Sequence, residues 1–364
     1  MPLTLHGIGT AVPPRGVSLE ESIALAERVS AAGHGQAALL RRIHQRTRVR
    51  SRGSVLLDGE ADQCPIRERL AFYGDGSPGT AARMRAFHDH AGTLALEACR
   101  GALEESGVRP EAISHLVTVS CTGFQAPGVD LFLIEQLALR PGVQRTHVGF
   151  MGCHGALNGL RVARAYAEAD PQAVVLLCAV ELCSLHMHYG WDPEKVVANA
   201  LFADGAAAVV ASAAAPSPGA ALVLQASGST VIPGTAELMH WQIGDHGFSM
   251  GLSPQVPEVV AAALNPWLRD WLAGQQVDPE GIRSWALHPG GPRILSACAE
   301  ALGLDERQLA VSRTVLQEHG NMSSATVLFI LERLRHSAAA GPCLALAFGP
   351  GLCAEAALLE VIRG

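Results

Sequence analysis

The chain has 364 residues, 49% of them hydrophobic and 17% charged, with 38 glycines and a formal net charge of -7. This length exceeds a usual single domain, so two domains or two fused halves are expected, and the composition belongs to a folded α/β protein and not a disordered chain. The acidic balance argues against nucleic acid as a main partner, and nine cysteines without a CxxC pair suggest neither a zinc site nor a disulfide framework.

The N-terminus "MPLTLHGIGTAVPPRG" has no basic segment and no long apolar run, so a secretion signal is not expected. Six arginines crowd into "LLRRIHQRTRVRSR", the densest basic run. "HLVTVSCTG" from His115 predicts a strand ending in a loop, and "GALNGLRVARAYAEA" a helix. "AVVLLCAVELC" from Ala173 predicts a buried strand, and "ALFADGAAAVVASA" a turn into another. "AAPSPGA" reads as a connection, near 215–219, between halves 1–215 and 216–364. Beyond it come a strand and turn ("SWALHPGG"), a glycine-stopped helix ("PRILSACAEALG"), a helix ("SSATVLFILERLRH") and a strand ("CLALAFGPG"). The alternation predicts α/β layers with active residues at strand ends and helix starts. The longest apolar runs are broken by Glu, Gly or Pro and predict no membrane span. A reduced, cytoplasmic protein is expected. "GCHGALNGLRVA" is echoed by "GNMSSATVLFIL", and "LFADGAAAVV" by "AFGPGLCAEAALL", which suggests a duplicated fold.

Cys153, in "FMGCHGA", is either a small buried residue or a nucleophile. If it opens the following helix, the unpaired N–H groups there favour a thiolate, whose pKa falls in such settings. A base is then needed. His154 points about 100° away on a helix, so His288, at the strand end in "WALHPGG", is preferred, and Asn321 in "GNMSS" is a third candidate or a helix cap.

"GFMGCHGA", "HPGGPRIL", "GNMSSATVLF" and "FGPG" together resemble the type III polyketide synthases, chalcone-synthase-like ketosynthases, and the bacterial members in particular. The resemblance spans nearly the whole chain and implies a thiolase-like five-layered αβαβα fold, with two pseudo-symmetric halves, in a homodimer. It implies a triad on Cys153, His288 and Asn321. Cys153 would take an acyl group from a CoA thioester, and His288 and Asn321 would stabilise the enolate left when malonyl-CoA loses CO2. The expected partners are malonyl-CoA and an acyl-CoA starter. No acyl carrier protein, metal, nicotinamide or flavin is expected. Phe202 matches a gatekeeper, and Met250 stands where a second gatekeeper is usually Phe. Gly349, Pro350 and Gly351 match a loop that shapes the cavity. Arg42 and Arg46 match positions on a CoA-entrance helix, where guanidinium suits phosphate.

Other chamber positions depart from the plant chalcone formers. Cys121, beside Thr122, and Cys183 replace threonines and resemble tetrahydroxynaphthalene synthases and some alkylpyrone formers. His186 stands where another threonine is common, Trp241 where a glycine is, and Ala126 replaces a methionine that reaches across the dimer. A small aromatic or α-pyrone is therefore expected and not a chalcone, with a lean towards a malonyl-only product. The rival readings are a ketosynthase III working on acyl carrier protein, a thiolase with Cys353 as second catalytic cysteine, and an inactive partner subunit.

Overall fold

A computed structural model of the chain describes all residues except 31, 32, 60, 62, 63, 75, 217–219 and 364, so most of the turn expected near 215–219 lies outside the described residues. In chain order the first elements are β1 (Leu3–Ala11), β2 (Gly16–Ser18), α1 (Leu19–Ser30), α2 (His34–Thr47), β3 (Ser51–Gly53), α3 (Ile66–Arg69) and α4 (Thr80–Ser106). There follow β4 (His115–Ser120), α5 (Val129–Gln136), β5 (Gln144–Gly149), α6 (Gly155–Ala169), β6 (Val174–Leu182), α7 (Pro193–Leu201), β7 (Asp204–Ser212) and β8 (Ala221–Val231). The rest are β9 (Met239–Gly244), β10 (Gly247–Leu252), α8 (Val256–Gly274), β11 (Ser284–Leu287), α9 (Pro292–Leu302), α10 (Ala310–His319), α11 (Thr326–Ser337), β12 (Gly341–Gly349) and β13 (Cys353–Ile362).

Nine strands are joined in the order β11-β12-β13-β8-β1-β7-β6-β4-β5. They are apolar on both faces because each face meets a layer. On β7, Ala206, Ala208 and Val210 pack with α4, while Ala207, Val209 and Ala211 pack with α6 and α11. On β12, Cys343, Ala345 and Ala347 join that same central core, and Leu344, Leu346 and Phe348 face α8 and α9. The layers are thus α4, one half-sheet, α6 with α11, the other half-sheet, then α8 with α9: the five-layered α/β architecture of the thiolase-like fold. The half-sheets meet where β1 pairs antiparallel with β8, Thr4 opposite Val223.

The sequence echoes fall on equivalent elements. Both α6 and α11 follow a single 3₁₀ turn, Gly152–His154 and Ser323–Ala325, and both fill the central layer. β7 and β13 each run antiparallel to the strand before them in their half-sheet. The basic run is not one helix. α2 stops at Thr47, Arg48 turns left-handed at φ 60°, and Arg52 lies on β3.

Candidate active site

Cys153 sits two residues before α6, in the turn Gly152–His154. That turn fits because Gly152 has φ 70°, and a Cβ there would come within 2.6 Å of Pro350 Cδ. Gly349 is equally confined, since a Cβ would lie 2.5 Å from His154 Cδ2 and 2.9 Å from the Met151 carbonyl oxygen. The Gly349–Pro350–Gly351 loop therefore presses on the cysteine turn, and Pro350 lines the cavity beside Cys153.

Two cavities meet at Cys153. The outer one is lined by Cys153, His288 and Asn321, and by Ile43, Arg46 and Arg293. The inner one is lined by Cys153, Cys121, Thr122, Cys183, His186, Trp241, Pro350 and Ser323. Cys153, Phe202, Met239 and Met250 line both, so the two positions expected to be gatekeepers stand at the junction. Met239 is a third apolar side chain there that motif matching passed over.

His288 and Asn321 are each 1% exposed. Both ring nitrogens of His288 and the amide nitrogen of Asn321 have no protein partner. Buried polar atoms are rarely left so, and all three belong to residues lining the cavity that also holds Cys153. Asn321 is fixed through its backbone, whose N–H donates to the Leu201 carbonyl (2.9 Å) while its carbonyl accepts from Ala203 N–H (2.9 Å). This clip sets Asn321 beside Phe202. His154 is occupied elsewhere, its Nδ1 being 2.6 Å from Asn158 Oδ1.

A low thiol pKa is not what the site shows. Burial pushes the Cys153 thiol up to about 12; the Ser323 hydroxyl opposes the rise, Glu181 adds to it, and the Asn321 amide opposes it. Burial likewise pulls His288 down to about 3, and the nearby His154 adds to this. The reason is desolvation, which penalises either charge alone.

Glu181 interrupts the apolar β6 and is fully buried. It accepts from Cys121 N–H (3.0 Å), Thr122 Oγ1 (2.8 Å) and Ser324 Oγ (2.5 Å), which ties the loop after β4 to the turn before α11. Burial raises its pKa against these donors. His186 spends both nitrogens on the scaffold: Nε2 lies 2.6 Å from the Thr122 carbonyl, and Nδ1 accepts from Phe248 N–H at 2.9 Å. It lines the chamber as a neutral strut. Trp241 donates its indole N–H to the Cys121 carbonyl (2.7 Å) and walls the chamber.

Of the two arginines expected at the mouth, Arg46 lines the outer cavity and Arg42 does not. Arg293, at the start of α9 in the other half of the chain, lines the same cavity. Cys353 lines neither cavity. Among the described residues no group of three His, Cys, Asp or Glu side chains could hold a metal ion, and no helix is long and apolar enough to cross a membrane.

Residues 2–216 match the N-terminal domain, and residues 223–363 the C-terminal domain, of chalcone and stilbene synthases. The chain is 36% identical to a 1,3,6,8-tetrahydroxynaphthalene synthase of Streptomyces peucetius, over 98% of this chain and 93% of that one. It is 31% identical to an α-pyrone synthesis polyketide synthase-like protein of Mycobacterium tuberculosis, over 99% and 91%. A polyketide synthase structure from the brown alga Ectocarpus siliculosus superposes with a TM-score of 0.91 at 31% identity, covering 99% of this chain and 98% of that one. The chain belongs to the chalcone and stilbene synthase family, and is an enzyme of the bacterial type III polyketide synthase kind.

Proposed function

We propose that Cys153 carries the growing acyl chain and that malonyl-CoA supplies each two-carbon extension. The observation that supports this reading best is the trio of unpartnered polar atoms on His288 and Asn321 in the cavity that holds Cys153. In the loading step His288 takes the Cys153 proton, the sulfur attacks the thioester carbonyl, the bond to CoA sulfur breaks, and the proton leaves with CoA. The resulting Cys⁻/His⁺ pair has no net charge, so a dry site tolerates the pair better than either ion alone. In the extension step the malonyl C–C bond breaks and CO2 departs. The electron pair moves onto the thioester oxygen, where His288 and Asn321 N–H groups donate to it. The enolate carbon then attacks the acyl group on Cys153, releasing the thiolate.

Phe202, Met239 and Met250 give the malonyl carboxylate an apolar neighbour, which disfavours its charge and helps CO2 leave. Arg46 and Arg293 hold CoA phosphate at the mouth. No cofactor beyond the CoA thioesters, no carrier protein and no nucleic acid enters this scheme, and the enzyme works in the cytoplasm. A second copy of the chain covers the apolar patch of Phe124 (51% exposed), Phe150 (39%) and Met151 (45%) beside the edge strand β5, making a homodimer. The Trp241 indole fills space that a phenylpropanoid starter plus three extensions would need, so the product is a small aromatic or α-pyrone.

Purified enzyme given malonyl-CoA and acyl-CoA starters should release CO2 and give products heavier by two-carbon units. Cys153→Ala should lose the acyl-enzyme mass and all product. Acylation persisting on Cys121 or Cys183 would overturn the assignment.

A further inference from the structure

Phe248, on β10, lines neither cavity and is fully buried. Its ring stacks on His186, with centroids 4.3 Å apart and planes at 15°, and meets the Trp241 ring edge-on at 5.7 Å and 83°. It also packs on Phe150 (5.6 Å), just ahead of the cysteine turn, and on Phe124 (6.1 Å), just past the Cys121 and Thr122 carbonyls. One ring thus touches the segment before Cys153, the loop after β4, the turn Cys183–His186 and strand β9.

The backbone of Phe248 adds to this hold. Its N–H donates to His186 Nδ1 (2.9 Å), so that nitrogen accepts, and Nε2 carries the proton given to the Thr122 carbonyl (2.6 Å). Just before it, Gly247 turns left-handed at φ 93°, and a Cβ there would lie 2.7 Å from Arg83 Cδ. Arg83 donates to the Leu185 and Met187 carbonyls, on either side of His186. In the chamber, His186 and Trp241 are each tied to the loop after β4 by one hydrogen bond, to the Thr122 and the Cys121 carbonyl. Such a bond fixes one atom of a ring. The tilt of the ring is fixed by what packs on it, and Phe248 packs on both.

We infer that Phe248 is a positioning residue that sets product specificity: from behind the chamber wall it holds His186 and Trp241 in place, and so limits how often the chain on Cys153 is extended before release. The inference rests on Cys153 as acyl carrier. The effect is steric. With the wall fixed, each two-carbon unit fills more of the chamber until extension stops. With the Phe248 ring gone, the imidazole and indole settle back into the vacated space, and further extension competes with release.

The test uses Phe248→Leu and the bulkier, flexible Phe248→Met, both of which lose the stack and keep the backbone N–H. Each is given hexanoyl-CoA and malonyl-CoA, and the products are resolved by mass. The ratio of the main wild-type product to longer ones should fall about five-fold, the scale of one lost aromatic pair. Acyl-enzyme formation on Cys153 and KM for malonyl-CoA should stay near wild type. In a Trp241→Gly background the same Phe248→Leu change should move the ratio less, because residues in contact are not additive. A role in stability alone would slow every step together and leave the ratio unchanged. That result, a shift only towards shorter products, or equal shifts in the two backgrounds would overturn the positioning role and leave the carrier role intact. No extension of hexanoyl-CoA or of malonyl-CoA alone by the wild-type enzyme would overturn the carrier role, and the inference with it.

Discussion

Burial acts against Cys153 and His288 as separate ions, and this sets what each can do alone. The thiol is pushed up to about 12 and the imidazole down to about 3, so neither ionises near neutrality without the other. Removing one partner then strands its mate. His288→Ala should slow iodoacetamide alkylation of Cys153 at pH 7 by ten-fold or more, because no base remains to accept the thiol proton. His154→Ala should change it much less, since that ring is held by Asn158. The opposite ranking would move the base to His154. Asn321→Ala removes one of the two enolate donors proposed above and should cost roughly 10²-fold in malonyl-CoA decarboxylation, as losing one oxyanion donor does elsewhere. Acyl loading should suffer less, because the cysteine and histidine remain. Equal losses in the two steps would place Asn321 in positioning and not in enolate stabilisation.

At the scale of elements, the mouth of the outer cavity is built by α2 from one half and the start of α9 from the other. Arg46→Ala and Arg293→Ala should each raise KM for CoA thioesters about five-fold, near the value of one exposed charge pair, and less at high salt. KM for short pantetheine thioesters should stay put. Arg42→Ala should do less, because Arg42 is exposed outside the lining; a larger effect there would mean CoA lies along α2. Much of this was legible beforehand. Strongly apolar runs with turn residues at their ends marked β4, β6, β7, β12, α6 and α11, and the small-residue turns around Cys153 and Asn321 marked the site. What stayed hidden was made by distant segments meeting. Arg293 reads as an ordinary residue after "HPGGP", and Arg52 as one more arginine in a basic run, until folding buries it against the Phe202 carbonyl. Glu181 did leave a signal, a lone carboxylate inside "VVLLCAVELC", but its partners lie 59, 60 and 143 positions away. A helix start is visible in sequence, whereas the depth of burial that raises the Cys153 thiol is not.

Across the whole molecule, the five layers bury many imidazoles in their neutral form, and this sets how the fold answers acid. Burial holds His44 at about 4, His186 at about 3 and His288 at about 3, against 6.5 in an open chain. The same direction holds for His6, His115, His147, His154, His188 and His319. Between pH 6.5 and about 4 the unfolded chain therefore binds more protons than the folded one, so stability falls as pH falls. Two buried carboxyls pull the other way. Asp204 is raised to about 6 and Glu181 is raised, both by burial, so between 3.8 and about 6 Asp204 holds its proton better when folded. The histidines outnumber them, and the windows of His186 and His288 are wider than that of Asp204. Thermal unfolding should accordingly begin several degrees lower at pH 5.0 than at pH 7.5. His44→Phe supplies the check, because His44 lies buried on α2 with an unpartnered Nε2 and outside both cavities. Replacing it deletes one acid-sensitive group, at the cost of the 2.9 Å contact to the Leu40 carbonyl. The variant should lose less Tm than wild type between the two pH values, whatever its Tm at pH 7.5. A wild-type Tm that rises on acidification would instead put Asp204 and Glu181 in control, and would mean that the buried imidazoles take up protons without leaving their layers.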